Sequence, residues 1–390
     1  MKILVVWLVG LAFGVSVSGG GVEVAIGHGR PQCTVTADGD KQSDVDNILN
    51  AFDRCGNSGS IIFPENQKYW IDRKLKPHVK DVQIQWRGEW TFSDNIIHWR
   101  SDSYFIEFQN HRAAFILTGD GIHIDGHGTG GIHGNGNTWY TSEAGETVEG
   151  RPMPFVFWNV SDVSVRNFHI KQPQFWAYNI MNGTDMVFQN ISSNATSTKA
   201  PGRYNWVQNT DGFDLEDITG HGGNGISIGS LGQYLEDSSV ENVTMNSLQR
   251  SSIDLRIGVY IKTCIGELAP QDHYESAGEP RGGGWGRVRN ITFSNVYYEN
   301  VNNAPSINQN NGNNGSFAGT SNMDVSDINF LNFTGILSGC TNRVSLSCSA
   351  THKCGNIKFE DIGLLTSSNI TTTCTGKWTL PDAVTGLPGC

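Results

Sequence analysis

The sequence predicts an all-β chain wound as a single-stranded, right-handed parallel β-helix, closed at its start by a short capping helix. Three observations predict it. One phrase recurs six times: a polar Asn or Asp, then an apolar, a free, an apolar, a free, a small polar and an apolar residue, with copies opening at Asp162, Asp185, Asn242, Asn290, Asp327 and Asn356. The first two copies lie 23 residues apart and the third and fourth 48 apart, spacings that suit a solenoid whose repeats each stack on the next. The 47 glycines and abundant asparagines exclude helical repeats, and alternate apolar residues mark short strands with one buried face.

Taken in chain order, residues 1–18 open Met-Lys, run apolar over 3–13 and end in small residues, the pattern of a cleavable secretion signal. The β-helix domain is therefore expected over 19–390. Residues 43–54 carry Val45, Ile48, Leu49 and Phe52 at helical spacing, which suits a helix covering the open end of the first coil. Gly59-Ser60-Ile61-Ile62-Phe63-Pro64 follows as the first strand and its turn. The six copies then supply the later coils, with asparagine side chains expected to stack in ladders at the bends.

Nine N-x-[ST] sequons between Asn159 and Asn369 fit a eukaryotic secretory route, although asparagine-rich turns also generate such triplets. Eight cysteines permit disulfides in that compartment, and their spacings match no zinc pattern. Cys33 with Cys55 is the expected pair, two bridges are expected within the C-terminal group, and Cys264 is the least placed. A net charge of −11 without a basic cluster excludes nucleic acid as a partner. It leaves acidic polysaccharide open, since a few cations in one cleft can hold carboxylated sugars against an unfavourable overall field. Beyond the leader no apolar run is long enough to span a membrane, so a soluble, extracellular monomer is expected.

The stretches that carry chemistry are Asn209-Thr210-Asp211-Gly212-Phe213-Asp214, the run from Asn224-Gly225-Ile226-Ser227 to Gly232-Gln233-Tyr234, and Gly258-Val259-Tyr260-Ile261-Lys262-Thr263. With the repeat, they resemble glycoside hydrolase family 28, the polygalacturonases, over nearly the whole mature chain. The loop Arg281-Gly282-Gly283-Gly284-Trp285-Gly286 and Ser306-Ile307-Asn308-Gln309 look more like its exo-acting fungal galacturonidases. The resemblance implies a pectin-lyase-like β-helix, an inverting hydrolysis of α-1,4-linked galacturonate, and no cofactor or metal. Such hydrolysis needs a carboxylic acid to protonate the leaving oxygen and a second carboxylate roughly 6.5–9.5 Å away to activate water. It makes Asp211 a water-activating carboxylate, and Asn209, Asn224, Tyr260, Lys262 and Trp285 contacts to sugar.

The chain departs from the family pattern in three places. The family follows its Asn-Thr-Asp with an Asp-Asp pair on the next coil, and no such pair follows Asp211. Asn224 stands at the histidine of the family's Gly-His-Gly, and Tyr260 at the arginine of its Arg-x-Lys, leaving Lys262 alone of that basic pair. Only 13 residues separate Asp211 from Asn224, while one coil takes at least about 20, so some 30 residues are missing. The expected junction is Leu215-Glu216, because Asp217-Ile218-Thr219 already reads as a strand. The walls beside Asp211 are expected to be out of register. Glu216-Asp217 and His221 are weaker substitutes: adjacent strand residues point to opposite faces, and His221 sits three residues early.

Two other classes compete with the hydrolase of galacturonate ends. One is a non-catalytic pectin-binding protein, the direct consequence of a missing acid; within the enzymes, release of terminal rhamnose is the alternative, since that sugar offers Lys262 no carboxylate. A calcium-dependent lyase would need clustered carboxylates, and none gathers near Asp211 in the sequence.

Overall fold

The computed structural model describes residues 21–27, 29–106, 110–201, 206–207, 209–210, 216–221, 226–251, 258–270, 280–301, 303–311, 316–337, 343–366 and 384–386. The expected leader and the cysteines Cys340, Cys374 and Cys390 lie outside them, as do Asp211 and Asn224. The architecture is a parallel β-helix. Strands Arg30–Thr36, Ser60–Phe63, His78–Trp86, Ile116–Asp125, Val156–Lys171, Asn179–Asn194, Glu216–His221, Val240–Ser251, Trp285–Val301, Asn322–Leu337 and Gly355–Thr366 pair in that order, each parallel to the next. A second wall stacks Ile226–Leu231, Val259–Cys264, Ser306–Asn311 and Ser345–Ser347, again in parallel.

The repeated phrase explains the stacking residue by residue. Its apolar positions superpose into inward columns: Val243, Ile291, Ile328 and Ile357 form one, and Met245, Phe293, Phe330 and Phe359 form another. In the second column the Phe330 ring lies 5.3 Å from Phe293 and 4.8 Å from Phe359, nearly parallel to both. Both polar positions of the phrase are corners. Asp162, Asp185, Asn242, Asn290, Asp327 and Asn356 all have φ between 49° and 61°, and Asn167, Asn190, Asn295 and Asn332 share this left-handed conformation. Asn and Asp tolerate it because their short polar side chains bond locally, which accounts for their place in the phrase. Their amides then stack: Asn182 Nδ2 donates to Asn159 Oδ1 at 2.8 Å, Asn190 to Asn167 at 2.8 Å, Asn290 to Asn242 at 2.8 Å and Asn332 to Asn295 at 2.7 Å.

The expected capping helix, α1, spans Val45–Cys55 and buries Val45, Ile48, Ala51, Phe52 and Cys55. The Cys33–Cys55 disulfide ties it to the first coil. Of the two bridges expected near the C-terminus, Cys348–Cys354 is formed, and the remaining cysteines of that group lie outside the described residues. Cys264 is buried and unbridged, and burial pushes its thiol up to about 11. Two short helices, α2 (Ile96–Ser101) and α3 (Gly136–Glu143), pack beside the N-terminal coils.

One region breaks the stacking. Strand Asn179–Asn194 pairs forward only from Gln189 onward, against Glu216–His221, and that short strand meets the next coil only over Ile218–Gly220. Among the described residues no strand fills the space between residues 179–188 and 240–247. The inward side chains facing that space show the effect: Ile180, Met186, Val240 and Val243 are only partly buried. Their partners one coil away, Phe157, Val163, Val288 and Ile291, are at most 1% exposed. Backbone pairing continues past the break on one side: Ile191 stands opposite Ile218, Ile218 opposite Leu248 and Leu248 opposite Val296, so the short strand Glu216–His221 keeps the register of its neighbours there.

Candidate active site

The interrupted region forms a groove of about 1250 Å³. Residues 179–188 and 240–244 make its two walls, and Ser227, Tyr260, Lys262 and Arg281 lie along it. Strand alternation sets which side chains reach it. Ser227 pairs with Tyr260, so Ile228 and Ile261 beside them turn inward while Tyr260 and Lys262, two residues apart, share the groove face. The Lys262 ammonium sits 5.1 Å from the centre of the Tyr260 ring, a cation–aromatic contact that holds the charge over the groove.

Arg281 is a further cation. It is 4% exposed, and its Nη1 donates to Gln233 Oε1 at 3.2 Å while Gln233 Nε2 donates to the Ser230 carbonyl at 3.0 Å. The glycines after it allow this placement: Gly282 and Gly283 take φ of 112° and 78°, and a Cβ on Gly282 would meet the Glu267 carbonyl at 2.2 Å. Burial first, and the Arg281 charge second, push the His111 imidazole down to about 4. His111 therefore lines the groove as a neutral ring between Phe175 and Trp176, 4.8 and 4.7 Å away.

A third wall is the segment after α3. Glu143, buried, pairs with Arg100 and with the buried Arg151, whose Nη2 also donates to the Glu146 carbonyl at 3.1 Å. That clamp fixes the turn carrying Thr147, and Asn209 Nδ2 donates to Thr147 Oγ1 at 2.7 Å. Asn209 thus lines the groove, held from outside its own coil.

Of the residues singled out in the sequence, the structure brings Asn209, Tyr260 and Lys262 to one groove. Asp211 and Asn224 fall outside the described residues, as do the side chains of Glu216, Asp217 and His221. Trp285 stands apart from them: as the first residue of its strand it turns to the outer face, 48% exposed, and does not line the groove. From the loop of residues 281–286 it is Arg281 that reaches the groove. Thr147 and His111 were also missed, because neither belongs to a motif. Among the described residues the carboxylates along the groove are Glu149, Asp185, Glu236 and Asp237, all exposed, and Glu241, whose Oε1 lies 2.8 Å from Arg287. None stands in the shielded setting that proton donation to a leaving oxygen requires. Among the described residues no three His, Cys, Asp or Glu side chains gather as a metal cage would need.

The sequence model of glycosyl hydrolases family 28 matches residues 58–220 and again 215–379. This chain belongs to that family. The two matches meet at residues 215–220, where the short strand Glu216–His221 begins, so the family pattern is interrupted at the break in stacking. This family 28 glycosidase is 51% identical over 394 aligned positions to "Putative galacturan 1,4-alpha-galacturonidase C" of Aspergillus niger, covering 92% of this chain and 93% of that one. Since 92% of 390 residues fill 394 positions, about 35 of those positions fall opposite no residue here, the length of a solenoid repeat. A protein of the same name from Neosartorya fischeri is 49% identical, with 92% and 93% covered. The solved endo-xylogalacturonan hydrolase from Aspergillus tubingensis shares the fold, with a TM-score of 0.65 at 22% identity over 91% of this chain and 98% of that one.

Proposed function

We propose that this secreted glycosidase is built to release single galacturonic acid units from the ends of α-1,4-linked pectic polygalacturonate, and that the chain as written lacks the general acid for that step. The observation that carries the reading is a groove whose cations include Lys262 and Arg281, in a chain half identical to a named galacturonidase. Each galacturonate carries a carboxylate, and a cation held over the groove meets it. In the reaction Asp211 takes a proton from water, the water oxygen attacks the anomeric carbon from the face opposite the leaving group, and the glycosidic bond breaks with inversion. A protonated carboxyl must supply the proton that the departing oxygen accepts. Asn209, Asn224 and Tyr260 contact the terminal sugar.

The missing repeat bears on that last proton. A coil between Leu215 and Glu216 would continue the stacking from residues 179–188 to residues 240–247 beneath the groove and would carry the absent Asp-Asp pair. Loss of a general acid lowers the rate by about 10²–10⁴. The test inserts such a coil and follows products from polygalacturonate by anion-exchange chromatography. The restored chain is expected to release monogalacturonate at least about 100-fold faster than the chain as written, and Asp211→Asn in the restored chain to abolish release. Equal rates with and without the coil would overturn the assignment and make one of the groove carboxylates the acid.

A further inference from the structure

The geometry points to a second binding surface, a cation–aromatic strip that runs from the N-terminal coils into the groove and takes the polymer beyond the terminal sugar. The inference rests on the proposed pectic substrate and adds where the rest of that chain lies.

Four residues define the strip. The Lys76 ammonium stands 5.0 Å from the centre of the Trp158 ring and 6.0 Å from that of Tyr104, and the Lys74 ammonium stands 5.2 Å from Tyr104. Trp158 also lines the groove, and its partner on the next coil, Met181, lines it too. The strip is therefore continuous with the site. Tyr104 and Trp158 pack with one part of each ring on the buried Ile106, Ala113, Ile116 and Val156, and both keep the rest of their faces in solvent. Lys74 is paired with Asp102 at 2.7 Å, whereas Lys76 is exposed and makes no ion pair among the described residues.

The chemistry of this surface selects its ligand. Aromatic faces suit the C–H faces of pyranose rings, and an ammonium beside each ring suits a carboxylate on each sugar. A neutral polysaccharide would use the rings and leave Lys76 idle, and on a protein of net charge −11 a nucleic acid would meet repulsion away from these few cations. A chain of uronic acid residues uses both. Binding at the strip would hold a long substrate while its end occupies the groove, so it distinguishes long chains from short ones.

The experiment measures affinity, not turnover, with two probes: long polygalacturonate by affinity electrophoresis and trigalacturonate by calorimetry. Lys76→Gln is expected to weaken long polygalacturonate about two- to fivefold, the range for one exposed charge contact, and to leave trigalacturonate unchanged. The loss should vanish near 0.5 M salt, roughly where screening reaches contact distance. Trp158→Leu, checked for an unchanged melting temperature, should act in the same direction without the salt dependence. Lys262→Gln should weaken both probes. If Lys76→Gln binds long chains like the parent while Lys262→Gln weakens both, the strip is overturned and the groove assignment stands. If Lys76→Gln weakens trigalacturonate equally, Lys76 belongs to the groove and the strip as an extension falls. If the parent binds neither probe, the pectic reading and the strip fall together.

Discussion

Glu143→Gln tests whether the groove's third wall depends on a buried charge. The carboxylate is 2% exposed and faces Arg151, 1% exposed, and Arg100, 33% exposed. Replacing it with an amide of the same shape leaves the Arg151 charge buried without its carboxylate. Breaking a buried pair in this way typically loses about 3–5 kcal/mol. The contact to Arg100, a third in solvent, adds little, and glutamine can still accept one hydrogen bond, so the expected loss is about 3 kcal/mol. For a chain of this size that corresponds to a fall of roughly 4 °C in melting temperature. Urea titration followed by intrinsic fluorescence measures the loss. The double variant Glu143→Met/Arg151→Met removes both charges and should regain most of it. A loss below about 0.5 kcal/mol for the single variant would refute the reasoning, as would a double variant worse than the single one.

Two further outcomes follow from the same physics. The His169 imidazole, 3.5 Å away, and then the Lys171 ammonium, 3.1 Å away, hold the Glu89 carboxyl at about 2, below its ordinary 4.5. A depressed carboxylate adds stability above its unfolded value and loses it as pH falls, so about 2 kcal/mol after solvent screening should disappear between pH 4.5 and 2, and Glu89→Gln should flatten that fall in urea titrations at pH 6 and 3. Ile328→Ala, in the closed part of the core, should lose about 2–5 kcal/mol, whereas Met186→Ala, facing the unfilled space, should lose no more than about 1 kcal/mol; equal losses would mean that the space beside Met186 is packed.

The β-helix was legible because its signal is periodic and local. Each copy of the phrase names its own inward residues, and the columns from Val243 to Ile357 follow from aligning the copies. The helix over residues 45–55, the strand Ser60–Phe63 and the Cys33–Cys55 bridge were legible for the same reason, since each depends on neighbours within some twenty residues; Ser60–Phe63 is not the first strand, because Gly21–Gly27 and Arg30–Thr36 precede it. The break in stacking falls where the spacing from Asp211 to Asn224 is too short for a coil, so its place was legible from spacing alone. The groove was only half legible. Tyr260 and Lys262 lie on one strand face and could be read two residues apart, but Arg281 reaches the groove through a glycine turn, and Thr147 through an ion-pair clamp whose members lie 8 and 43 residues apart. No pattern along the chain encodes those meetings. Trp285 was named from its motif, and the strand's alternation, which sets it on the outer face away from the groove, was not used in naming it.

The corner geometry changes what the sequons mean. A residue that favours a left-handed bend, then an apolar residue pointing inward, then a small polar residue pointing outward is the opening of this protein's coil, and it is also the acceptor triplet for an N-linked glycan. Asn182, Asn190, Asn290 and Asn332 each open an acceptor triplet, and each donates one of its two side-chain amide hydrogens to the asparagine of the coil before it. A sugar takes the place of one hydrogen on that nitrogen, so the ladder survives only if the other hydrogen is the one that bonds. Six of the nine triplets, at Asn159, Asn182, Asn190, Asn242, Asn290 and Asn332, stand at left-handed corners, so much of the apparent glycosylation code in this chain is the spelling of its corners.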